Sequence, residues 1–201
     1  RKIQADIKNE KRFIESPNPS GEVMKKYWKD YHKWNLDQYL SLSAQSFPDR
    51  ETYLIDDVYH IEYNIYINEQ PKGLPLDHVS TLKNAVTFWE NTQLTASDGK
   101  EAVVKFYVTN VKSDANVLVT WVMRNLGEGV LGHAHVGKGI VEVALGGYGC
   151  DGTTQLFTID TVNTIMKHEL GHSLGFMHST DTNNIMYPSI KKVDYAYCLL
   201  S

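Results

Sequence analysis

Apolar residues change their spacing twice along this chain of 201 residues. In the first 15 positions Ile3, Ile7, Phe13 and Ile14 recur at helical intervals and predict an amphipathic helix. Ser16-Pro17-Asn18-Pro19-Ser20-Gly21 ends it, because two prolines and a glycine cannot carry a helix on. A second helix is expected from Glu22 to Leu42, with Met24, Tyr27, Trp28, Tyr31, Trp34 and Leu40 on or near one side. That aromatic stripe suits a face docked on a globular body. Residues 1–56 thus form a helical N-terminal extension.

From Val58 the period falls to two. Tyr59–Ile67 alternates so that Ile61, Tyr63, Ile65 and Ile67 share one face of a strand. After Pro71 and Pro75, Asp77 is placed to cap a helix through Val79, Leu82, Val86 and Trp89. Val103–Val108 and Val117–Val122 predict two more strands, and the glycine-rich stretch 127–152 predicts short ones at Val130–Val136 and Ile140–Leu145. Asp160 then caps a helix through Val162, Ile165, Met166 and Leu170 to Gly175. The order β-α-β-β-β-β-α over residues 57–201 predicts an α/β sandwich around a mixed, twisted sheet. Trp89 and Trp121 belong to its core.

Composition narrows the function classes. Hydrophobic residues make up 42 %, aromatics 11 % and charged residues 22 %, enough apolar material to bury a core. The net charge is -4 and no Lys/Arg cluster exceeds a pair, so no nucleic-acid partner is expected. No apolar run approaches the roughly 20 residues of a membrane span. The sequence begins at Arg1 rather than Met, which implies an upstream segment that could have held a signal or an anchor. Two cysteines, Cys150 and Cys198, fit one bridge or two free thiols.

The chemistry lies in the last helix, at His168-Glu169-Leu170-Gly171-His172-Ser173-Leu174-Gly175-Phe176-Met177-His178. His168 and His172 are four apart and project from one helix face, so both imidazoles can reach one metal ion. Glu169 is rotated by about 100° around the axis, where it can address a bound water without being a ligand. Gly175 can adopt the left-handed conformation that ends a helix, and the resulting turn could return His178 to the same ion. Three neutral imidazoles plus one water make the open tetrahedral site of a catalytic zinc.

This motif resembles the metzincin metallopeptidases, and Asn184-Ile185-Met186-Tyr187-Pro188 looks like their Met-turn, which implies that Met186 lies beneath the zinc. His178-Ser179 is the matrixin-like choice, and Pro188 stands where astacin-like and serralysin-like enzymes carry a tyrosine. Tyr59–Ile67, the helix with Ala85 and Trp89-Glu90, and Val130-Leu131-Gly132-His133-Ala134 also look like matrixin counterparts. The resemblance, over roughly residues 57–190, implies a zincin-like fold with an active-site helix and a second helix. It implies a zinc-dependent endopeptidase with one catalytic Zn²⁺ on His168, His172 and His178 and with Glu169 as general base. A peptide or protein substrate would pair with the edge of Val130–Val136, through Val130, Leu131 and Gly132, with Pro188 on the primed side. A secreted or extracellular monomer is expected, because an unregulated endopeptidase is hazardous inside a cell.

The departures matter as much. His133 fits one structural-zinc ligand position, but no His-x-Asp lies upstream, so His133 and His135 read as exposed or hydrogen-bonded strand histidines. Asp181, Asn183 and Asn184 read as turn formers, and calcium has no support beyond them. No cysteine lies in residues 1–56, so the prosegment thiol of many matrixins is absent there. Pro188-Ser189-Ile190 lacks the tyrosine common on the primed side, and the family usually adds a C-terminal helix after the Met-turn, whereas this sequence stops at Ser201, which leaves either a trimmed or an unusually short domain. Two alternatives stay open: a latent form in which residues 1–56 or the tail near Cys198 cover the zinc, and a non-catalytic zinc-binding interaction module. His32, His60 and His78 read as surface or capping residues.

Overall fold

The computed structural model describes residues 47–70, 74, 76–122, 131–149, 153–190 and 193–198. The two helices expected before residue 43, with His32, lie outside these residues, as do Val130 and the side chains of Cys150 and Cys198.

The sheet starts earlier than the change of period suggested. Strand β1 (Glu51–Ile55) turns through Asp56 and Asp57, with φ of 49° and 65°, into β2 (Val58–Ile67). A two-residue hairpin of this kind needs positive φ at both turn positions, which aspartate tolerates. Residues 51–55, assigned from sequence to the helical extension, are therefore an antiparallel partner of β2. Their exposed Tyr53, Leu54 and Ile55 give no clean alternation, and that concealed the strand.

Helix α1 (Val79–Glu90) follows, then β3 (Leu94–Thr95), β4 (Glu101–Val108), β5 (Val117–Val122), β6 (Gly132–Ala134) and β7 (Gly139–Ala144). The large sheet runs β3-β4-β2-β5-β7-β6, with β1 beside β2. Strands β4, β2, β5 and β7 are parallel, and β6 closes one edge antiparallel to β7. The strand expected at Val130–Val136 is shorter, at Gly132–Ala134. A second sheet of β8 (Gly146–Gly149), β9 (Thr153–Phe157) and β10 (Tyr195–Cys198), unforeseen from the sequence, flanks helix α2 (Ile159–Ser173).

Both helices pack together over one face of the large sheet. Tyr63, Ile65, Val104, Val119, Trp121, Val141 and Val143 meet Leu82, Ala85, Trp89, Val162, Ile165, Met166 and Leu170 in one core. Trp89 and Trp121 are buried there as expected. Both expected caps shift. His78 rather than Asp77 is the N-cap residue of α1, while the Asp77 side chain accepts the Val79 N–H at 3.0 Å. Thr158 rather than Asp160 caps α2, accepting from the Thr161 N–H at 3.3 Å, and Asp160 sits in the first turn where its charge favours the helix dipole.

His78, read as a surface or capping residue, does occupy the N-cap position of α1, but it is not on the surface. It is fully buried, with Nε2 3.3 Å from the Phe157 carbonyl and Nδ1 without a partner. Burial lowers its pKa to about 4. The unfolded imidazole takes its proton near pH 6.5, so stability is complete above that pH, drains away as pH falls toward about 4, and levels off below. The linked loss is up to about 3 kcal/mol. His78→Gln, which keeps an N–H for Phe157, should flatten this stretch of the curve in urea unfolding at pH 7 and pH 4.5.

Gly171 marks the tightest contact between the helices and the loop beneath them. A Cβ there would lie 2.4 Å from Met186 Sδ and 2.7 Å from Trp89 Cζ2. Replacing an interior helical glycine by alanine normally gains roughly 0.5–1 kcal/mol. Here overpacking of about 1–3 kcal/mol opposes it, so Gly171→Ala should lower the denaturant midpoint rather than raise it.

Candidate metal centre

Helix α2 presents its apolar side to the sheet, which leaves His168 and His172 on an adjoining face. The rings meet edge to face, with centroids 4.8 Å apart. After Ser173 the helix stops: the Phe176 N–H returns to the Gly171 carbonyl at 3.1 Å, and Gly175 holds a φ of 107°. That positive φ suits glycine, and it swings the chain so that His178 stacks beside His168 at 5.4 Å and lies 4.9 Å from His172. One potential ligand atom from each of the three histidines lies within 4.8 Å of the others. The triad anticipated from sequence spacing is assembled.

Backbone carbonyls set the tautomers. His168 Nδ1 lies 2.7 Å from the Ile185 carbonyl and His172 Nδ1 lies 2.7 Å from the Phe176 carbonyl. A carbonyl only accepts, so both Nδ1 atoms carry hydrogen and both Nε2 atoms keep a lone pair. Such outer-shell contacts orient imidazole ligands toward a cation. Burial, the largest cause, lowers the pKa of His168 and His172, which favours the neutral ligand form. His178 is exposed.

Glu169 lies beside the triad, with its Oε1 4.0 Å from His168 Nε2. The residue is only 6 % exposed, and burial pushes the pKa of its carboxyl up to about 7. It fits there because Gly132 has no side chain; a Cβ at Gly132 would lie 2.7 Å from Glu169 Cγ and 2.9 Å from Oε1. The sequence suggested Gly132 as a substrate contact, and the structure also sets it against the acidic side chain.

Met186 is 4 % exposed and lies against Gly171, beneath the helix. Its loop is fastened by side chains read from sequence as turn formers: Asn184 Oδ1 accepts the Met186 N–H at 2.8 Å, and Asp181 Oδ1 accepts the Asn183 N–H at 2.9 Å. The Ser179 N–H bonds the Met186 carbonyl at 2.9 Å, locking the His178 turn to the methionine turn. Pro188 is exposed just beyond. Leu131 is half-buried and its carbonyl accepts the Ala144 N–H at 2.9 Å. His133 and His135 are exposed on the edge strand and the residue after it, and the His135 ring accepts the Ile140 N–H at 3.4 Å.

Sequence reasoning missed the residues that tie this centre to the body. Trp89 Nε1 donates to the Lys167 carbonyl at 2.8 Å and its ring stacks on Phe176 at 5.4 Å. Tyr63 OH donates to the Ser173 carbonyl at 2.8 Å. These partners are over 75 residues apart in the chain, and no local pattern announces them.

The chain is 26 % identical over 197 residues to an interstitial collagenase of Aquarana catesbeiana, a match covering 86 % of this chain and 48 % of that protein. The chain thus spans about half the length of this curated relative. A solved structure of myroilysin shares 15 % identity over 58 % of this chain and 48 % of its own, with a TM-score of 0.38. The matrixin family model matches residues 56–200. A match running from the first long strand to the last, through the three histidines, makes this protein a member of the matrixin peptidase family.

Proposed function

We propose that the protein is a zinc-dependent endopeptidase. The observation that carries this reading is the convergence of His168, His172 and His178 beside a buried carboxyl, with two of the three imidazoles held in one tautomer by backbone carbonyls. An all-imidazole donor set suits zinc. His168, His172 and His178 would hold the ion, and its bound form supplies Lewis acidity, lowering the pKa of a coordinated water toward about 7 and polarising a scissile carbonyl. Met186 forms the apolar floor.

Glu169 is the general base. Its carboxylate takes a proton from the attacking water and returns it to the departing amine as the C–N bond breaks. Burial of the side chain between the helix and Gly132 holds it in one position and keeps bulk water from diluting its effect. The substrate backbone pairs with the outer edge of β6, the last strand in the sheet among the described residues, in the manner of an added strand. Leu131 and Gly132 line this cradle, and Pro188 borders the primed side. The collagenase activity named for the relative supports a peptide or protein substrate, without specifying which. An extracellular setting accords with the hazard of unrestrained proteolysis inside a cell, and the part of residues 1–56 that precedes β1, or the tail near Cys198, is the candidate for a segment that restrains it.

Two substitutions test the roles. Glu169→Gln should retain zinc stoichiometry by metal analysis while casein cleavage falls by at least about 100-fold; undiminished turnover removes Glu169 from the mechanism. Gly132→Ala should keep zinc and lower kcat by about 10–100-fold, since displacing a catalytic group by about 1 Å is that costly. A wild-type chain that binds zinc yet cleaves nothing in a chelator-controlled peptide-library digest favours the latent or non-catalytic reading instead.

A further inference from the structure

The last carbonyls of a helix lack intrahelical partners, and α2 ends one residue beyond His172. Two of them are held from outside the helix. Arg50 Nη1 donates to the Leu174 carbonyl at 3.1 Å, and Tyr63 OH donates to the Ser173 carbonyl at 2.8 Å. The two clamps are joined, because Arg50 Nη1 also donates to the Tyr63 hydroxyl and its guanidinium lies over the Tyr63 ring at 5.3 Å. Tyr63 is itself immobilised, fully buried on β2 and stacked on Phe106 at 5.4 Å.

We propose that Arg50 is a positioning residue for the metal site, clamping the end of helix α2 so that the turn at Gly175 delivers His178 to the other two histidines. His178 is the one member of the triad that the helix does not carry. Its direction is set by the chain leaving Leu174, whose carbonyl Arg50 holds, and by Phe176, whose carbonyl orients His172. A permanently charged, planar donor is suited to this place: it complements the negative end of the helix dipole and reaches two oxygens at once.

Arg50 is in turn set by a strap. Asn116 Nδ2 donates to the Pro48 and Asp49 carbonyls at 3.0 and 3.1 Å, and Lys138 bonds Asp49 at 2.7 Å. The strap precedes residue 56, where the family match begins, so the metal centre depends on residues that neither the match nor the sequence pattern assigned to the catalytic body. A helix cap that only stabilised the fold would lower the unfolding midpoint and leave the metal site alone. A positioning residue changes the site itself.

The inference rests on the three histidines being metal ligands, and zinc affinity of the full chain, measured by competition with a chromophoric chelator, tests it. Arg50→Ala should weaken zinc binding by about 10-fold, the loss typical of outer-shell partners. The visible spectrum of its cobalt(II) form should change as His178 detaches. Arg50→Lys should restore part of the affinity, because a single ammonium can still reach the Leu174 carbonyl. Lys138→Ala removes only an exposed ion pair to Asp49 and leaves the two Asn116 bonds that hold the strap, so affinity and spectrum should stay unchanged. Should Arg50→Ala fail to fold, Tyr63→Phe, which removes the hydroxyl but keeps the buried ring, should weaken zinc in the same direction. A folded Arg50→Ala matching wild type in affinity and spectrum overturns the proposal, as does an equal loss in Lys138→Ala. A wild-type chain that takes up no zinc overturns the metal-site reading beneath it as well.

Discussion

The seating of helix α2 on the sheet governs everything at the candidate centre. Val162, Ile165, Met166 and Leu170 are buried against the strands, and they fix the rotation of the helix about its own axis. With that rotation set, residues four apart must both emerge on one side, and the residue between them must face β6. His168 and His172 therefore have their direction from hydrophobic packing rather than from any attraction to a cation. Glu169 becomes buried for the same reason, and its raised pKa is a consequence of where the apolar stripe places it.

The second constraint is that the third histidine lies off the helix. A loop of a few residues holds a side chain in register only when its backbone is fastened at several points. Here Gly175 turns the chain, Met186 and Ser179 lock it below, and the carbonyls of Ser173, Leu174 and Phe176 are each engaged. Gly171 lets Met186 and Trp89 press directly on the helix backbone. Small residues at these places are what permit close approach. Their absence of side chains is as specific a requirement as the presence of imidazole.

The edge of the sheet supplies the remaining geometry. β6 is short and antiparallel to β7, it ends the strand order, and it brings Gly132 against Glu169. Among the described residues no further strand pairs the outer edge of β6, and such an edge is suited to an extended chain, since backbone groups can pair there whatever the side chains.

Much of this was legible from residue order because it depends on local periodicity. The i, i+4 histidines, the glycine three residues beyond the second, and the Asn184–Pro188 turn each act through neighbours in the chain, and the structure assembles them as their spacing implies. The buried faces of β2, β5 and α2 were equally plain. What the sequence could not disclose involves partners far apart. His78 looks like an ordinary surface histidine until Phe157 and the core close over it, and β1, β8, β9 and β10 carry too little alternation to stand out before they pair. The clamp of Arg50 and Tyr63 on the end of α2 exists only once the strap, the central strand and the helix terminus meet. Spacing alone selects which side chains can share a face. The tertiary packing decides which backbone carbonyls are left for distant donors, and so how firmly that face is held.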